Sequence, residues 1–473
     1  MSQKENRTGG VRLNPDFFSS GLIEVVPGYK KLTIYLSRHI RHAGSSKKSA
    51  VYKQTLINTY INNVNYRWVI LSIIFFSQFV LSIAGYGWGP LAPFFKKLFS
   101  LNSTQIGTIS STFYFTAALS AFPAGIIVDR YGVKKGLLSW LALTGFPLFF
   151  LSFFHKKFSI FLIMVGIAGL GYGLGNPVAS KGLFIWFEKK IRGTVFGIRQ
   201  SAVTVGSAIA GILLIYISQK SGPFVALRTV SLLIAIMMVL SYFFYKTPKG
   251  GEDTINKGMQ KGKKSIISGF TDLFSNKALL TISLVAAMLG MGQGIVSTFF
   301  LLYIYEKLGY SLLTAGSLYT IVMISGAIGR IFWGVISDWL FNGYRKPVLI
   351  IICFLTLISV TTLAFWVSTW SKLLFLPVVV GLGISCWGWN GITFLMVTEI
   401  SDSTETATFV GLATTFGWLG LSLGPMVFGN ITDHFGYFYA WMSLAFFCNL
   451  SFLFCFLIPI PGPNPFKVKW GNF

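Results

Sequence analysis

Four basic residues lie inside otherwise apolar stretches of this chain: Lys181, Arg199, Arg228 and Arg330. All fourteen acidic residues fall in polar segments or where an apolar stretch ends, the nearest being Asp129, Asp338 and Glu399. A charge at the centre of a bilayer costs at least about 2.5–3.5 kcal/mol on insertion scales. With no acid at equal depth, the partner must be water, backbone oxygen or a bound anion. Arginine's planar fork suits a carboxylate in bidentate fashion. The chemistry open to these residues is therefore anion recognition. No nucleophile–base pair, no His/Cys set at metal spacing and no cofactor loop accompanies them, so no enzyme, metal site or cofactor is expected.

Depth separates the four. At ~1.5 Å per helical residue, Arg330 lies about 12 Å from Asp338, Arg199 about 10 Å from Arg192, and Lys181 about 10 Å from Glu188. Arg228 follows Pro223 closely and is expected to snorkel to the headgroups. Lys181 has a stem long enough to do the same, but stays a candidate for cargo contact. For Arg199 and Arg330, lining of a cargo pathway stands beside a structural alternative, bonding to backbone carbonyls. Similar depth on two helices would let both touch one small anion. Further candidates are Tyr86 and Trp88, with Gln293 at the repeat position of Trp88, and Gln200 beside Arg199. Asn176, before a kink expected at Pro177, pairs by repeat with Asn390, which follows Trp387. For the aromatic members, packing or lipid contact is the alternative.

The elements that must position these residues are membrane spans. The chain has 473 residues, 53% hydrophobic and 11% charged, with mean hydropathy +0.66. A span needs about 20 mostly apolar residues. Twelve such runs are read, near 67–89, 105–128, 136–154, 158–186, 193–217, 225–245, 278–304, 312–337, 347–368, 372–397, 407–429 and 438–460. In lipid the backbone must bond to itself, so these are helices. The expected fold is all-α, a polytopic membrane protein of twelve transmembrane helices in two pseudo-symmetric six-helix halves. The segments are a basic cytoplasmic extension (1–65), a first half (66–245), a cytoplasmic linker (246–277), a second half (278–460) and a cytoplasmic tail (461–473). No cleavable signal pattern precedes the first span. Cys353, Cys386, Cys448 and Cys455 all fall inside spans, so no disulfide is expected.

A net charge of +25 raises the question of nucleic acid. With a cytoplasmic N-terminus, the tails, linker and loops on that side hold 28 Lys/Arg and the opposite loops hold 7. The positive-inside rule accepts this orientation. Topology and attraction to anionic lipid account for the charge, and no nucleic-acid partner is expected. The partners are a bilayer, in the inner or plasma membrane, and a small anionic molecule, with the chain acting as a monomer.

The halves repeat. "GYGWG" at 85–89 matches "GMGQG" at 290–294, and "GIIVD" at 125–129 matches "GVISD" at 334–338. Asn176 matches Asn390, Gly197 matches Gly411 and Gly206 matches Gly420, with offsets drifting only from 205 to 214. Two related halves with a site between them near mid-membrane mark one transporter architecture.

The stretch "GIIVDRYGVKK", 125–135, falls at the cytoplasmic end of span two. Gly125 permits close helix contact, Asp129 ends the helix, Gly132 turns the chain, and Arg130 with Lys134 and Lys135 holds the loop inside. It resembles the major facilitator superfamily, whose loop between spans two and three reads G-x-x-x-D-R-x-G-x-[RK]-[RK]. The second half carries a degraded copy in Gly334, Asp338, Gly343, Arg345 and Lys346. The resemblance covers about residues 66–460. It implies alternating access by rocking of the halves, with the loop aspartate latching the cytoplasmic side near the start of span eleven. A carboxylate is favoured beside a helix N-terminus; simple helix ending is the alternative role for Asp129 and Arg130.

Within that superfamily, Trp186-Phe187, Arg192-Gly193 and Gly197-Ile198 resemble the span four–five region of small-anion carriers of the oxalate/formate-antiporter and monocarboxylate-transporter kind. Arg330, Gly334 and Asp338 match their span-eight R-x-x-x-G-x-x-x-[DN]. The resemblance implies a secondary transporter of a small organic anion, a carboxylate. Polyspecific export of apolar compounds is one alternative, but "TVGSAIAG" (204–211) lacks the span-five proline of proton-coupled drug antiporters. A non-transporting membrane sensor is another, supported by the N-terminal extension with its basic "YKKLTIYLSRHIRH" (29–42).

Overall fold

A computed structural model describes residues 47–153, 157–187, 191–247, 276–367, 370, 372–400 and 406–459. Within its helices, the side chains at 47–65, 122, 126, 127, 129, 193, 372 and 406–408 lie outside the described residues. So do the basic extension to residue 46, most of the linker and the C-terminal tail, together with the side chain of Asp129. The described residues from 69 onward group as one compact unit, and apart from the start of the first helix everything below belongs to it.

Among the described residues every regular element is helical. In chain order these are α1 (Lys47–Gly85), α2 (Trp88–Leu98), α3 (Ser103–Tyr131), α4 (Val133–Leu151), α5 (Phe158–Tyr172), α6 (Gly175–Trp186), α7 (Arg192–Ser221) and α8 (Pro223–Phe244). The second half holds α9 (Lys277–Glu306), α10 (Leu312–Trp339), α11 (Arg345–Phe365), α12 (Lys372–Glu399), α13 (Thr406–Phe435) and α14 (Tyr437–Leu457). Ten stretches are long and apolar enough to cross a membrane, and α3 and α4 add helices of 29 and 19 residues. The twelve expected spans are all present. Spans one and four are each two helices, α1–α2 and α5–α6.

The kink expected at Pro177 lies earlier, at Gly173–Leu174. Pro177 sits in the first turn of α6, where its missing N–H has no helical partner to lose. Tight reversals between spans use glycine in the left-handed region: Gly132 has φ +86° and Gly436 φ +84°, which glycine adopts without a Cβ penalty.

The two halves meet at one end and separate at the other. At the end away from the 125–135 loop, a Cβ on Gly107 of α3 would lie 2.2 Å from the Pro425 carbonyl oxygen of α13, and one on Gly429 would lie 2.3 Å from that of Ser103. Here helix backbones touch because no side chain intervenes. At the loop end, a Cβ on Gly125, Gly197, Gly334 or Gly411 would meet nothing within 4 Å. Gly125 was expected to make close helix contact. It faces open space, because the halves are apart on its side.

Charged groups hold the closed end. The Asp433 carboxylate, at the end of α13, accepts the Ser103 and Thr104 backbone N–H groups, each at 2.7 Å, and the Thr104 hydroxyl at 2.7 Å. It caps the N-terminus of α3, where free N–H groups and the helix dipole favour an anion. Lys96 of α2 pairs with Glu306 of α9 at 2.8 Å, and the Tyr437 hydroxyl donates to the same carboxylate at 2.9 Å. Removing the Asp433 carboxylate forfeits several charge-assisted bonds. At about 1.5 kcal/mol for one such bond, the population open at this end rises roughly tenfold in Asp433→Ala. Spin labels on Leu98→Cys and Lys307→Cys report this as growth of a longer-distance population; an unchanged distance distribution removes the latch role.

Candidate functional site

Arg199 lies on α7, two turns in from its start, and is 5% exposed. Its Nη1 donates to Asn176 Oδ1 and to Gln200 Oε1, both at 2.9 Å, and its Nη2 donates to Gln78 Oε1 at 2.5 Å. A guanidinium has five N–H donors. Three are held by neutral amide oxygens, and Nε is buried with no hydrogen-bond partner.

Arg330 comes from α10 in the other half. Its Nε donates to the Trp387 carbonyl at 3.2 Å and its Nη1 to the Gln200 carbonyl at 3.4 Å. It reaches Trp387 because α10 runs against α12: a Cβ on Gly329 would stand 2.4 Å from the Ile384 carbonyl oxygen. Gln200 thus bridges the two arginines, through its side chain to one and its backbone to the other. Among the described residues, neither guanidinium makes an ion pair with a carboxylate. The ion pairs formed by carboxylates stand elsewhere, Asp338 and Glu399 both with Arg345 and Glu306 with Lys96.

The polar line continues through the second half. Asn390 donates to Gln293 Oε1 at 3.4 Å, and Gln293 donates to the Tyr86 hydroxyl at 3.2 Å. Tyr86 is on the break between α1 and α2. Unwinding there leaves carbonyls without helical partners, and tyrosines supply donors: Tyr114 to Gly85 O at 3.0 Å and Tyr319 to Tyr86 O at 3.1 Å. Broken backbone at membrane depth is tolerated where it is satisfied in this way.

The structure therefore brings together Arg199, Arg330, Gln200, Asn176, Tyr86, Gln293 and Asn390. Trp387 joins through its carbonyl only; its ring is buried against Gly326. Trp88 lies apart, packed on Phe113 and Phe161 at ring-centroid distances of 5.7 and 6.3 Å. Lys181 is buried, and its Nζ donates to the Val128 carbonyl at 3.2 Å near the end of α3, away from the arginines. Arg228 bonds Ser152 Oγ at 3.3 Å and lies over the Phe153 ring at 4.4 Å, where α4 gives way to the next loop. In the loop motif, Arg130 stands 5.5 Å from the Tyr131 ring. In its second copy, Asp338 pairs with Arg345 inside its own half, while Gly125 and Gly334 face open space.

Gln78 and an aromatic wall were not found from the sequence. Trp418 of α13 stands 6.0 Å from the Tyr172 ring and 6.4 Å from the Tyr114 ring, and Tyr114 stands 6.0 Å from Tyr86. These rings carry the site from one half to the other. A glutamine inside the first apolar run was the available signal for Gln78, since a buried amide needs partners.

Comparison with known proteins bears on this arrangement. The membrane sensor protein UhpC of Salmonella typhimurium is 24% identical over 363 residues, covering 73% of this chain and 81% of that protein. A probable hexose phosphate transport protein of Chlamydia muridarum is 22% identical over 383 residues, covering 74% of this chain and 82% of that protein. The probable L-galactonate transporter of Escherichia coli is 24% identical over 372 residues, covering 72% and 77%. Residues 74–425 match the family described as Major Facilitator Superfamily. That match runs from the first span into the eleventh, through the loop motif and both arginines, and the chain belongs to the Major Facilitator Superfamily.

Proposed function

We propose that the chain is a secondary transporter of a small organic anion, a carboxylate, which moves it by alternating access. One observation carries this reading: Arg199 and Arg330, deep between the halves, are bonded among the described residues to neutral oxygens and to no carboxylate. A permanent charge in that position is stabilised by an anion that arrives and leaves. The helices bearing the two arginines, α7 and α10, belong to opposite halves, so one anion bound by both senses their relative motion. Relatives named for hexose phosphate and L-galactonate support an anionic cargo. The kinship to oxalate/formate and monocarboxylate carriers rests on Trp186-Phe187, Arg192-Gly193 and the Arg330–Gly334–Asp338 spacing alone.

On this reading both termini and the 125–135 loop are cytoplasmic, following the charge bias of 28 against 7. The described state then opens to the cytoplasm. The chain works as a monomer in the plasma membrane, or the inner one where there are two. Asp129 and the loop motif latch the cytoplasmic side in the opposite state.

Uptake of labelled oxalate, lactate, galactonate and glucose 6-phosphate into proteoliposomes tests the cargo. Losing one or two charge-assisted bonds of about 1.5–3 kcal/mol each lowers uptake at least roughly tenfold in Arg199→Ala and in Arg330→Ala. Full transport in both variants sinks the site assignment.

The sensor named among the relatives favours a second reading, a receptor on the same fold that binds the anion without moving it. It predicts arginine-dependent thermal stabilisation by one of these anions with no net uptake of any. Uptake above that of empty liposomes rejects it.

A further inference from the structure

We propose that Gln78 is a positioning residue that sets the charge of the site: it holds the Arg199 guanidinium in place while leaving its charge unneutralised, and so selects for anions. The inference rests on the anion-carrier reading above and names the residue in this chain that makes the site cationic.

Gln78 lies on α1 and is 3% exposed. Both ends of its amide are engaged. Nε2 donates to Ser82 Oγ at 3.0 Å, one turn further along the same helix, and Oε1 accepts Arg199 Nη2 at 2.5 Å. The reverse amide orientation would set two N–H donors against a guanidinium, which repel, so the oxygen must face the arginine. The shortest of the three bonds to Arg199 is this one.

The three amides holding Arg199 differ in what else they can do. Asn176 is exposed and Gln200 partly so; both can touch a cargo directly. Gln78 is walled off and can act only through Arg199. A carboxylate in the same place would satisfy the same N–H and add a formal negative charge. In surroundings of low dielectric that charge would pair with Arg199 permanently and compete with any arriving anion. An amide supplies the geometry without the charge. Specificity commonly depends on such a choice of what is withheld.

Gln78→Glu is close to isosteric and tests the proposal by two readouts. The titratable and charged groups facing this corner are Arg199 on α7, Tyr172 on α5 (beside Ser82 and Gln78) and, beyond Gln200, Arg330 on α10. The first readout is the melting temperature of the purified protein, which needs no cargo. At neutral pH the new carboxylate meets an uncompensated guanidinium, so Gln78→Glu melts higher than wild type by roughly 2–4 °C. The gain disappears as pH falls through the carboxylate range and disappears at neutral pH in Gln78→Glu/Arg199→Gln. A lower melting temperature at neutral pH in Gln78→Glu than in wild type overturns the proposal, because it means the carboxylate is buried without a cation.

The second readout is uptake of labelled oxalate, lactate, galactonate and glucose 6-phosphate. Gln78→Glu loses at least tenfold at pH 7 and stays low at pH 5, because a carboxylate paired with Arg199 remains ionised below its ordinary pKa of about 4.3; Gln78→Leu raises KM with little change in maximal rate. Equal uptake by wild type and Gln78→Glu at pH 7 overturns the proposal. If Arg199→Ala and Arg330→Ala leave uptake intact while the melting gain stands, the anion-carrier reading fails and the charge-setting contact survives.

Discussion

Two guanidiniums lie between the halves of this protein and, among the described residues, are hydrogen-bonded to amide and carbonyl oxygens. A buried cation is tolerated when its donors are satisfied and its field is answered by dipoles or by a counter-charge. Here three donors of Arg199 and two of Arg330 are bonded, Arg199 Nε is buried without a partner, and among the described residues no carboxylate pairs with either group. Six spans contribute to that arrangement. Gln78 and Tyr86 come from span one, Asn176 from span four, Arg199 and Gln200 from span five, Gln293 from span seven, Arg330 from span eight and Asn390 from span ten. Gln200 is the joint, because it is the residue bonded to both arginines and belongs to one half while Arg330 belongs to the other. An anion bound here would tie the halves together beyond the end at which they already touch by backbone.

The surrounding helices are shaped by that requirement. Span one breaks at Tyr86–Gly87 and span four at Gly173–Leu174. Each break falls beside the polar cluster, and the carbonyls freed in span one are met by Tyr114 and Tyr319 from neighbouring spans. Rings from spans one, two, four and eleven then fill the space that the breaks open. The polar centre is bordered by large aromatic surfaces, three of them tyrosines that carry a hydroxyl.

The two ends of the molecule answer each other. Where the halves meet, glycines on α3 and α13 let backbones approach, and Asp433 at the end of α13 caps the start of α3. At the other end, glycines on the same two helices face open space, and the loop motif places Asp129 at the end of α3, on the side where α13 begins. The arrangement is the same with the helices exchanged: a carboxylate ending one helix, the N-terminus of the other, and small residues between. A seam of this kind costs little to form and little to part, because it holds no interlocked side chains. On the alternating-access reading proposed above, the open end would close by a seam of this kind when the first one parts.

Residue order alone determined the twelve spans, the division into halves and the absence of an acid deep within a span. Those follow from hydropathy and from the cost of charge in lipid, which act on local composition. It also pointed to Arg199 and Arg330, since a cation in an apolar run stands out against its neighbours. Gln78 did not stand out, because an amide carries no charge and one glutamine in a span is unremarkable until its partner is known. Nor could Trp88 be separated from Tyr86, though two residues of a broken helix point one ring into packing and the other to the centre. Which of the two ends is closed was decided only in three dimensions. Glycines recur at both ends of these helices, and the same residue type serves a touching seam and an open one; the difference lies in where the other half stands, which no local pattern encodes.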